Sequence, residues 1–215
     1  MTFLAYDFLR EKLPLGTEMV PVSAAVEALR MVKSAEELGR IRRSVQTNSK
    51  AFDAAMRLLK VGMTENDLAA EFDFQMRRHG AEGCAFETIV ASGARSALPH
   101  ARPTQNRIEA DQLLLIDMGA TQDGYASDMT RTVFVGLPRA EWKRRYRAVL
   151  AAQLAAIAAI RAGVPASKPD SEARKVLAAH GLDKEFTHST GHGLGLEIHE
   201  PPRIGKKEKT ILRAG

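Results

Sequence analysis

The segment of residues 188–200 carries the strongest chemical signal in the sequence. It contains His188, Gly191, His192, Gly193, Gly195 and His199. Two histidines four residues apart can bind a metal from a helix, but each glycine costs a helix interior about 1 kcal/mol. Glycine instead lets a ligand or a second backbone segment approach closely. We therefore predict a glycine-rich strand or loop that carries imidazoles and ends at Pro201-Pro202.

Two aspartates flank a predicted β-hairpin. Asp117 ends an apolar run, Asp128 precedes a second predicted strand, and the turn signal Asp123-Gly124 stands between them. Antiparallel pairing of the two strands would bring the carboxylates close together, where they repel each other unless a cation neutralises them. The alternative is that both are ordinary strand-end acids, one of which pairs with Arg131.

Carboxylates and imidazoles together favour a metal site over separate structural roles. The hairpin aspartates would join the histidine segment and the isolated His100, and such ligands suit Mn, Co, Fe or Zn. His79 and His180 precede glycines near predicted helix ends, where a cation is favourable, and we predict structural roles for both.

Four helices and three strands are predicted to position these residues. A capping box of Ser34 and Glu37 begins the first helix, and Thr64 caps the second. The helices are predicted at residues 34–62, 64–80, about 139–162 and 170–181, and the strands at 87–92, 113–118 and 131–135. The third helix is expected to turn these large side chains inward: Trp142, Tyr146, Val149, Leu150, Ile157 and Ile160.

The composition indicates a soluble globular protein. The 215 residues include 45% hydrophobic and 27% charged residues, with no run long enough to span a membrane and no signal peptide. The net charge of +5 is spread along the chain, which disfavours nucleic-acid binding. The single cysteine, Cys84, excludes an internal disulfide and fits the cytoplasm; a small buried residue is favoured over a nucleophile.

Four stretches of the sequence resemble the Xaa-Pro aminopeptidase and prolidase family of metallopeptidases. In order, they are residues 29–37, residues 89–93 with 98–100, residues 115–120 with 124–132, and residues 188–200. The resemblance implies an α+β pita-bread fold, in which helices flank an antiparallel sheet. It also implies hydrolysis of Xaa-Pro bonds, in dipeptides or at the N-terminus of longer peptides.

The resemblance assigns a metal centre to three residues. Asp117 matches the aspartate that binds one ion, Asp128 the aspartate that bridges two ions, and His192 the histidine that binds the other. The implied cofactors are two divalent ions, with Mn²⁺ as the first choice and Co²⁺ or Zn²⁺ as alternatives. In this family a metal-bridging water is deprotonated and attacks the scissile carbonyl.

Three further histidines match residues that line the site without binding metal. His100 would contact the peptide, His199 would stabilise the oxyanion or orient the substrate, and His188 would help to shape the proline pocket.

The sequence also departs from the family pattern. Two metal-binding glutamates of the family have no counterpart, because their strands would follow Gly215. Residues 1–32 resemble the end of an N-terminal domain, and residues 33–215 resemble a catalytic domain without its last strands. We therefore expect little activity from these 215 residues alone, and a homodimer or a separate C-terminal fragment as partner. We expect neither nucleic acid nor membrane as a partner.

Two alternatives remain open at this point. One is an inactive pita-bread module that binds peptide or protein without metal, which the missing glutamates favour. The other is a metal-free hydrolase of the creatinase type, which shares the fold. The presence of Asp117, Asp128, His192 and His199 counts against the first, and that of Asp117 and Asp128 counts against the second.

Overall fold

The computed structural model describes residues 2–215, in which helices pack on short antiparallel sheets. The helices are α1 (Phe3–Lys12), α2 (Ala25–Arg30), α3 (Ala35–Met56), α4 (Glu65–Arg78), α5 (Ala140–Ala159) and α6 (Ser167–Ala179). The strands are β1 (Gly83–Cys84), β2 (Ile89–Ser92), β3 (Gln112–Met118), β4 (Ala120–Gln122), β5 (Tyr125–Ala126), β6 (Met129–Val135), β7 (Gly191–Gly193) and β8 (Glu200–Ile204). A short 3₁₀ helix, Gly93–Ala97, follows β2.

Local sequence signals explain where α3 and α4 begin. The side chains of Ser34 and Thr64 each accept a hydrogen bond from the backbone N–H three residues on. The acid at that position accepts one from the backbone N–H of Ser34 or Thr64, which completes two capping boxes. His79 and His180 cap the C-termini of α4 and α6, as predicted. The apolar faces of α3 and α4 meet in one core, in which Phe72 is fully buried.

The central sheet has the order β2–β3–β6, and both pairings are antiparallel. Leu114, Ile116 and Met118 alternate along β3 and are fully buried in the core formed with α3 and α4. Successive side chains of a strand point to opposite faces. Asp117 therefore stands on the other face of the sheet, opposite Thr130 of β6.

The predicted pairing of the two aspartate strands is confirmed, but the Asp-Gly turn does not join them directly. Asp123 and Gly124 have φ of 52° and 74° and close the β4–β5 hairpin, which is inserted between β3 and β6. Positive φ at both turn positions suits a tight two-residue hairpin. This insertion places Asp128 immediately before β6.

The expected inward face of α5 is wrong. Small residues are buried instead: Ala148, Ala152 and Ala156. Ala152 and Ala156 pack against α6, where an alanine surface allows the two helices to approach closely. The large side chains that we expected inside are exposed, namely Trp142, Tyr146, Val149, Leu150, Ile157 and Ile160. Val149, Ile157 and Ile160 line a cavity beside the helix pair. Trp142 and Tyr146 line a separate cavity next to β3 and β6.

The glycine-rich segment does form a strand, but Pro201-Pro202 does not end it. Both prolines lie within β8, which pairs with β7 in a two-stranded sheet through an irregular register at His192 and Gly193. Proline is tolerated in such an edge strand, where a missing N–H removes no central hydrogen bond.

The N-terminal segment, up to residue 32, is partly helical. It contains α1 and α2, and α2 contacts β8. Its assignment to a separate N-terminal domain stays a prediction. No helix within residues 2–215 is long and apolar enough to cross a membrane.

Candidate functional site

A cavity of about 270 Å³ opens on the face of the central sheet that carries Asp117. Its wall includes Asp117 and Asp128 from the sheet, His100 from the loop after the 3₁₀ helix, and His199 from the turn before β8. Phe86, among others, contributes apolar surface. Four of the six residues predicted to form the site therefore meet here.

His192 contacts this group from the side of β7. Its Nε2 lies 3.4 Å from Oδ2 of Asp128, and its ring centroid lies 4.3 Å from that of His199. Its Nδ1 lies 2.9 Å from the carbonyl oxygen of Gly193. Because a carbonyl only accepts, Nδ1 carries the hydrogen, and in the neutral ring Nε2 turns a lone pair towards the carboxylate.

Burial raises the pKa of both aspartates above the ordinary carboxyl value. At Asp117 this effect is opposed by a hydrogen bond from the Thr130 hydroxyl, 2.9 Å away, and reinforced by the nearby charge of Asp128. At Asp128 burial also outweighs the attraction of His192 and His199. The charges of these two partly buried carboxylates are thus not fully compensated by the protein.

No lysine or arginine in the described part of the chain forms an ion pair with either aspartate. The Arg131 guanidinium donates instead to the carbonyl oxygen of Thr130 at 2.9 Å. Neither aspartate therefore pairs with Arg131, contrary to the alternative that the sequence left open.

The donor atoms converge without forming a closed metal cage. Two ligands of one ion lie roughly 3 Å apart when each bond is about 2 Å, so the 3.4 Å between His192 and Asp128 suits a shared ion. Asp117 lines the same cavity. Nevertheless, among residues 2–215 no three His, Cys, Asp or Glu side chains come together as a complete set of ligands.

Two glycines of the histidine segment make room for specific neighbours. A Cβ on Gly193 would lie 2.5 Å from the Pro201 carbonyl oxygen, and a Cβ on Gly195 would lie 2.7 Å from the Glu200 carboxylate. Gly191 has open space around it. The glycines thus let β8 and its buried acid approach the strand that carries His192.

Glu200 anchors the turn that carries His199, and sequence reasoning did not identify this role. Its side chain is 2% exposed and forms ion pairs with Arg30 and, at 2.9 Å, with Lys33. The backbone N–H of Glu197 also donates to it. Burial alone would raise the pKa of Glu200, but these partners outweigh burial and hold the pKa below its ordinary value.

Glu65 performs a similar task for the loop that leads to His100. The fully buried carboxylate accepts hydrogen bonds from the backbone and hydroxyl groups of Ser92 and Thr104 and pairs with Arg95. Burial would raise the pKa of Glu65, yet these contacts lower it overall. The loop is therefore fastened on both sides of His100.

His188 does not line the aspartate cavity. It lies on the wall of a second, more apolar cavity of about 630 Å³ between α5, α6 and the histidine segment, which His192 also lines. Its predicted contribution to a proline pocket stays a prediction. Cys84 is half-buried, and burial raises its pKa to about 11, so the thiol stays protonated and is not an activated nucleophile.

A family model described as metallopeptidase family M24 matches residues 39–215. The chain belongs to metallopeptidase family M24. This match confirms the predicted family. Solved structures of prolidases that superpose on this chain, described next, agree with the expected pita-bread fold.

Named relatives support the same assignment. The M24 chain is 40% identical over 214 residues to a protein named Xaa-Pro dipeptidase from Pyrococcus horikoshii, covering 99% of this chain and 61% of that protein. The prolidase from Pyrococcus furiosus superposes with a TM-score of 0.93 at 38% identity, covering 99% of this chain and 63% of that one. A Xaa-Pro dipeptidase from Bacillus anthracis superposes with a TM-score of 0.94 at 37% identity, covering 99% and 59%. The M24 chain therefore spans about three fifths of the length of these relatives.

Proposed function

We propose that this protein is a metal-dependent peptidase that hydrolyses the bond between an N-terminal residue and proline, in dipeptides or at the start of longer peptides. The observation that carries the proposal is the contact between Asp128 and His192 beside Asp117, in a chain of family M24. The names of the relatives, prolidase and Xaa-Pro dipeptidase, supply the proposed substrate class.

The chemistry of the donor set fits divalent metal ions. In the neutral imidazole, the Nε2 lone pair of His192 faces a carboxylate oxygen of Asp128, and two acceptors 3.4 Å apart repel unless a proton or a cation lies between them. The pKa values of Asp117 and Asp128 are both raised, so the protein itself compensates their negative charges poorly. We propose Asp117, Asp128 and His192 as ligands, with Asp128 as the shared one.

Two ions are proposed from the family pattern, with Mn²⁺ as the first choice and Co²⁺ or Zn²⁺ as alternatives. When bound, they would polarise the scissile carbonyl and lower the pKa of the attacking water. Carboxylates with imidazole are ligands that all three metals accept, so the residues alone do not select one.

The remaining site residues would orient the substrate. His199 packs against His192 on the cavity wall, from which its imidazole could donate to the oxygen that becomes negative during attack. His100 faces the same cavity and would contact the peptide. His188, in the apolar second cavity, would contribute to the recognition of the proline ring.

A direct assay of the natural gene product tests this function. After treatment with a chelator, the protein should lose hydrolysis of Ala-Pro and recover it with Mn²⁺ or Co²⁺, whereas Ala-Ala should be cleaved at least tenfold more slowly. Chelator-resistant hydrolysis would support the metal-free creatinase-type alternative. Peptide binding with neither metal uptake nor turnover would support the inactive binding module.

A further inference from the structure

Asp170 is a second buried acid close to the histidine segment, but it lies on α6 and outside the aspartate cavity. Its side chain is 0% exposed. Its Oδ2 accepts a hydrogen bond of 2.7 Å from Nε of Arg174, one helical turn later, and Oδ1 accepts one of 3.3 Å from Nη2. Its Oδ1 also accepts hydrogen bonds from the hydroxyl and backbone N–H of Thr190, at 2.8 and 3.2 Å.

Arg174 extends this arrangement to two further residues of the same segment. Its Nη1 donates to the carbonyl oxygen of Phe186 at 2.7 Å, and its Nη2 donates to that of His188 at 2.6 Å. The guanidinium also lies 4.3 Å from the centroid of the Phe186 ring, whose plane is nearly perpendicular to the His188 ring. One arginine thus fixes the backbone on both sides of residue 187.

The helix that carries Asp170 and Arg174 is itself firmly placed. Ala173 and Leu177 of α6 are buried against the alanine face of α5. Through the hydrogen bonds of Asp170 and Arg174, the packed helix α6 therefore holds residues 186, 188 and 190 in place. Gly191 and His192 follow at once, and glycine restricts the backbone less than any other residue.

We propose that Asp170 and Arg174 are positioning residues that set the location of His188 and His192. The inference rests on the proposed function only for its catalytic consequence. Neither residue lines the aspartate cavity or the second cavity, so the effect of the pair must pass through the segment that it holds. A lysine cannot replace Arg174, because a single ammonium lacks the planar fork that serves two carbonyls and a carboxylate together.

The decisive variant is Arg174→Lys in the natural gene product, with Lys175→Gln as the matched control. Lys175 is exposed on the same helix, and its ion pair within residues 2–215 is with Glu172. Three quantities should be measured well below the melting temperature of each variant: the imidazole ¹⁵N signals of the metal-free protein, the Mn²⁺ dissociation constant, and KM with kcat for Ala-Pro.

In Arg174→Lys, the signals of His188 and His192 should shift while those of His79 and His180 stay in place. Mn²⁺ should bind about 10–100-fold more weakly, as is usual when a partner that orients a ligand is lost, and KM should rise more than kcat falls. Lys175→Gln should match the wild type throughout. A lower melting temperature with unchanged imidazole signals and unchanged Mn²⁺ affinity would mean that the pair is merely structural, and would overturn the proposal.

Thr190→Val keeps the test decisive if Arg174→Lys does not fold. It removes only the hydroxyl that donates to Asp170, and should weaken Mn²⁺ binding by about tenfold, the lower end of the same range. Wild-type imidazole signals and affinity in this variant would refute the proposal. Wild-type protein that fails to cleave Ala-Pro would refute the proposed function instead, and would leave the imidazole measurements to decide the positioning role.

Discussion

Two groups of carboxylates in this protein, one fully buried and one partly buried, differ in what surrounds them. Glu65, Asp170 and Glu200 each receive at least one cation and at least one further N–H or O–H donor from the chain, and the pKa of each is below its ordinary value despite burial. Asp117 and Asp128 receive no lysine or arginine within residues 2–215, and burial raises the pKa of both.

The difference separates acids that hold the chain from acids that remain available. Each acid of the first group fastens a segment that carries a predicted site histidine: His100 for Glu65, His188 and His192 for Asp170, and His199 for Glu200. The fold is therefore able to compensate a buried carboxylate, and at Asp117 and Asp128 it does not. Raised pKa values at two neighbouring acids are typical of a functional site.

The largest expected effect follows from Asp128→Ala. If Asp128 is the shared ligand, its removal should abolish metal binding and lower kcat/KM for Ala-Pro by on the order of 10³-fold or more. Elemental analysis beside the peptidase assay measures both quantities on one preparation.

His199→Ala provides the control for that variant. His199 is proposed to act on the substrate, so the metal content should stay near that of the wild type while turnover falls. Full activity in Asp128→Ala would show that Asp128 is not a metal ligand that the reaction requires.

The first group predicts loss of stability instead. Glu200→Gln leaves Arg30 and the nearly buried Lys33 without their shared anion, and breaking a buried ion pair in this way costs about 3–5 kcal/mol. Glu197 is the matched control, because its side chain is 66% exposed and lies 3.4 Å from the same Arg30. Glu197→Gln should cost less than about 1 kcal/mol. Urea unfolding of both variants compares them directly.

The ion pairs of Glu200 also predict how stability depends on pH. The pKa of Glu200 is lower in the folded than in the unfolded protein, so its contribution is fully present above the ordinary glutamate range. That contribution should decline as the pH falls through the lowered pKa. The stability difference between wild type and Glu200→Gln should therefore be constant near neutrality and shrink in acid. A difference that grows on acidification would contradict the ion-pair account.

A smaller effect tests whether glycine makes room for this acid. The Cβ of Gly195→Ala would lie 2.7 and 2.8 Å from the two carboxylate oxygens of Glu200, which are held by their ion pairs. Overpacking of this kind costs about 1–3 kcal/mol. Gly191→Ala, with open space around it, should be nearly neutral. In a Glu200→Ala background the cost of Gly195→Ala should largely disappear, and equal costs in both backgrounds would exclude the contact as its cause.

Much of the second group could be predicted from sequence, because its signals are local. The capping box at Ser34 and the N-cap signal at Thr64 predict where α3 and α4 begin. Two predicted strands around an Asp-Gly turn bring Asp117 of β3 towards Asp128, which lies immediately before β6. Their metal-binding roles stay predictions. The inserted β4–β5 hairpin was missed because one turn signal fits either arrangement.

Most of the first group could not be predicted, because its contacts are distant in the chain. Arg30 and Glu200 are 170 residues apart, and no local pattern marks them as partners. The prediction of the buried face of α5 was wrong for a related reason. Side-chain size predicts which residues can be buried, whereas close approach of α6 selected the alanines.

The smallest effect is also the one whose sign separates the two groups. Asp117→Asn keeps an acceptor for the Thr130 hydroxyl and removes a charge that burial disfavours. In the presence of a chelator it should therefore stabilise the protein by about 0.5–2 kcal/mol, and the gain should increase as the pH rises through the raised pKa. Asp123→Asn, on the neighbouring hairpin turn, weakens only an exposed ion pair with Arg43 and should destabilise the protein by less than about 1 kcal/mol. Saturating Mn²⁺ should reverse the order, because an ion that binds only the folded wild type stabilises it by mass action. A destabilised Asp117→Asn under chelation would place Asp117 with the acids that hold the chain.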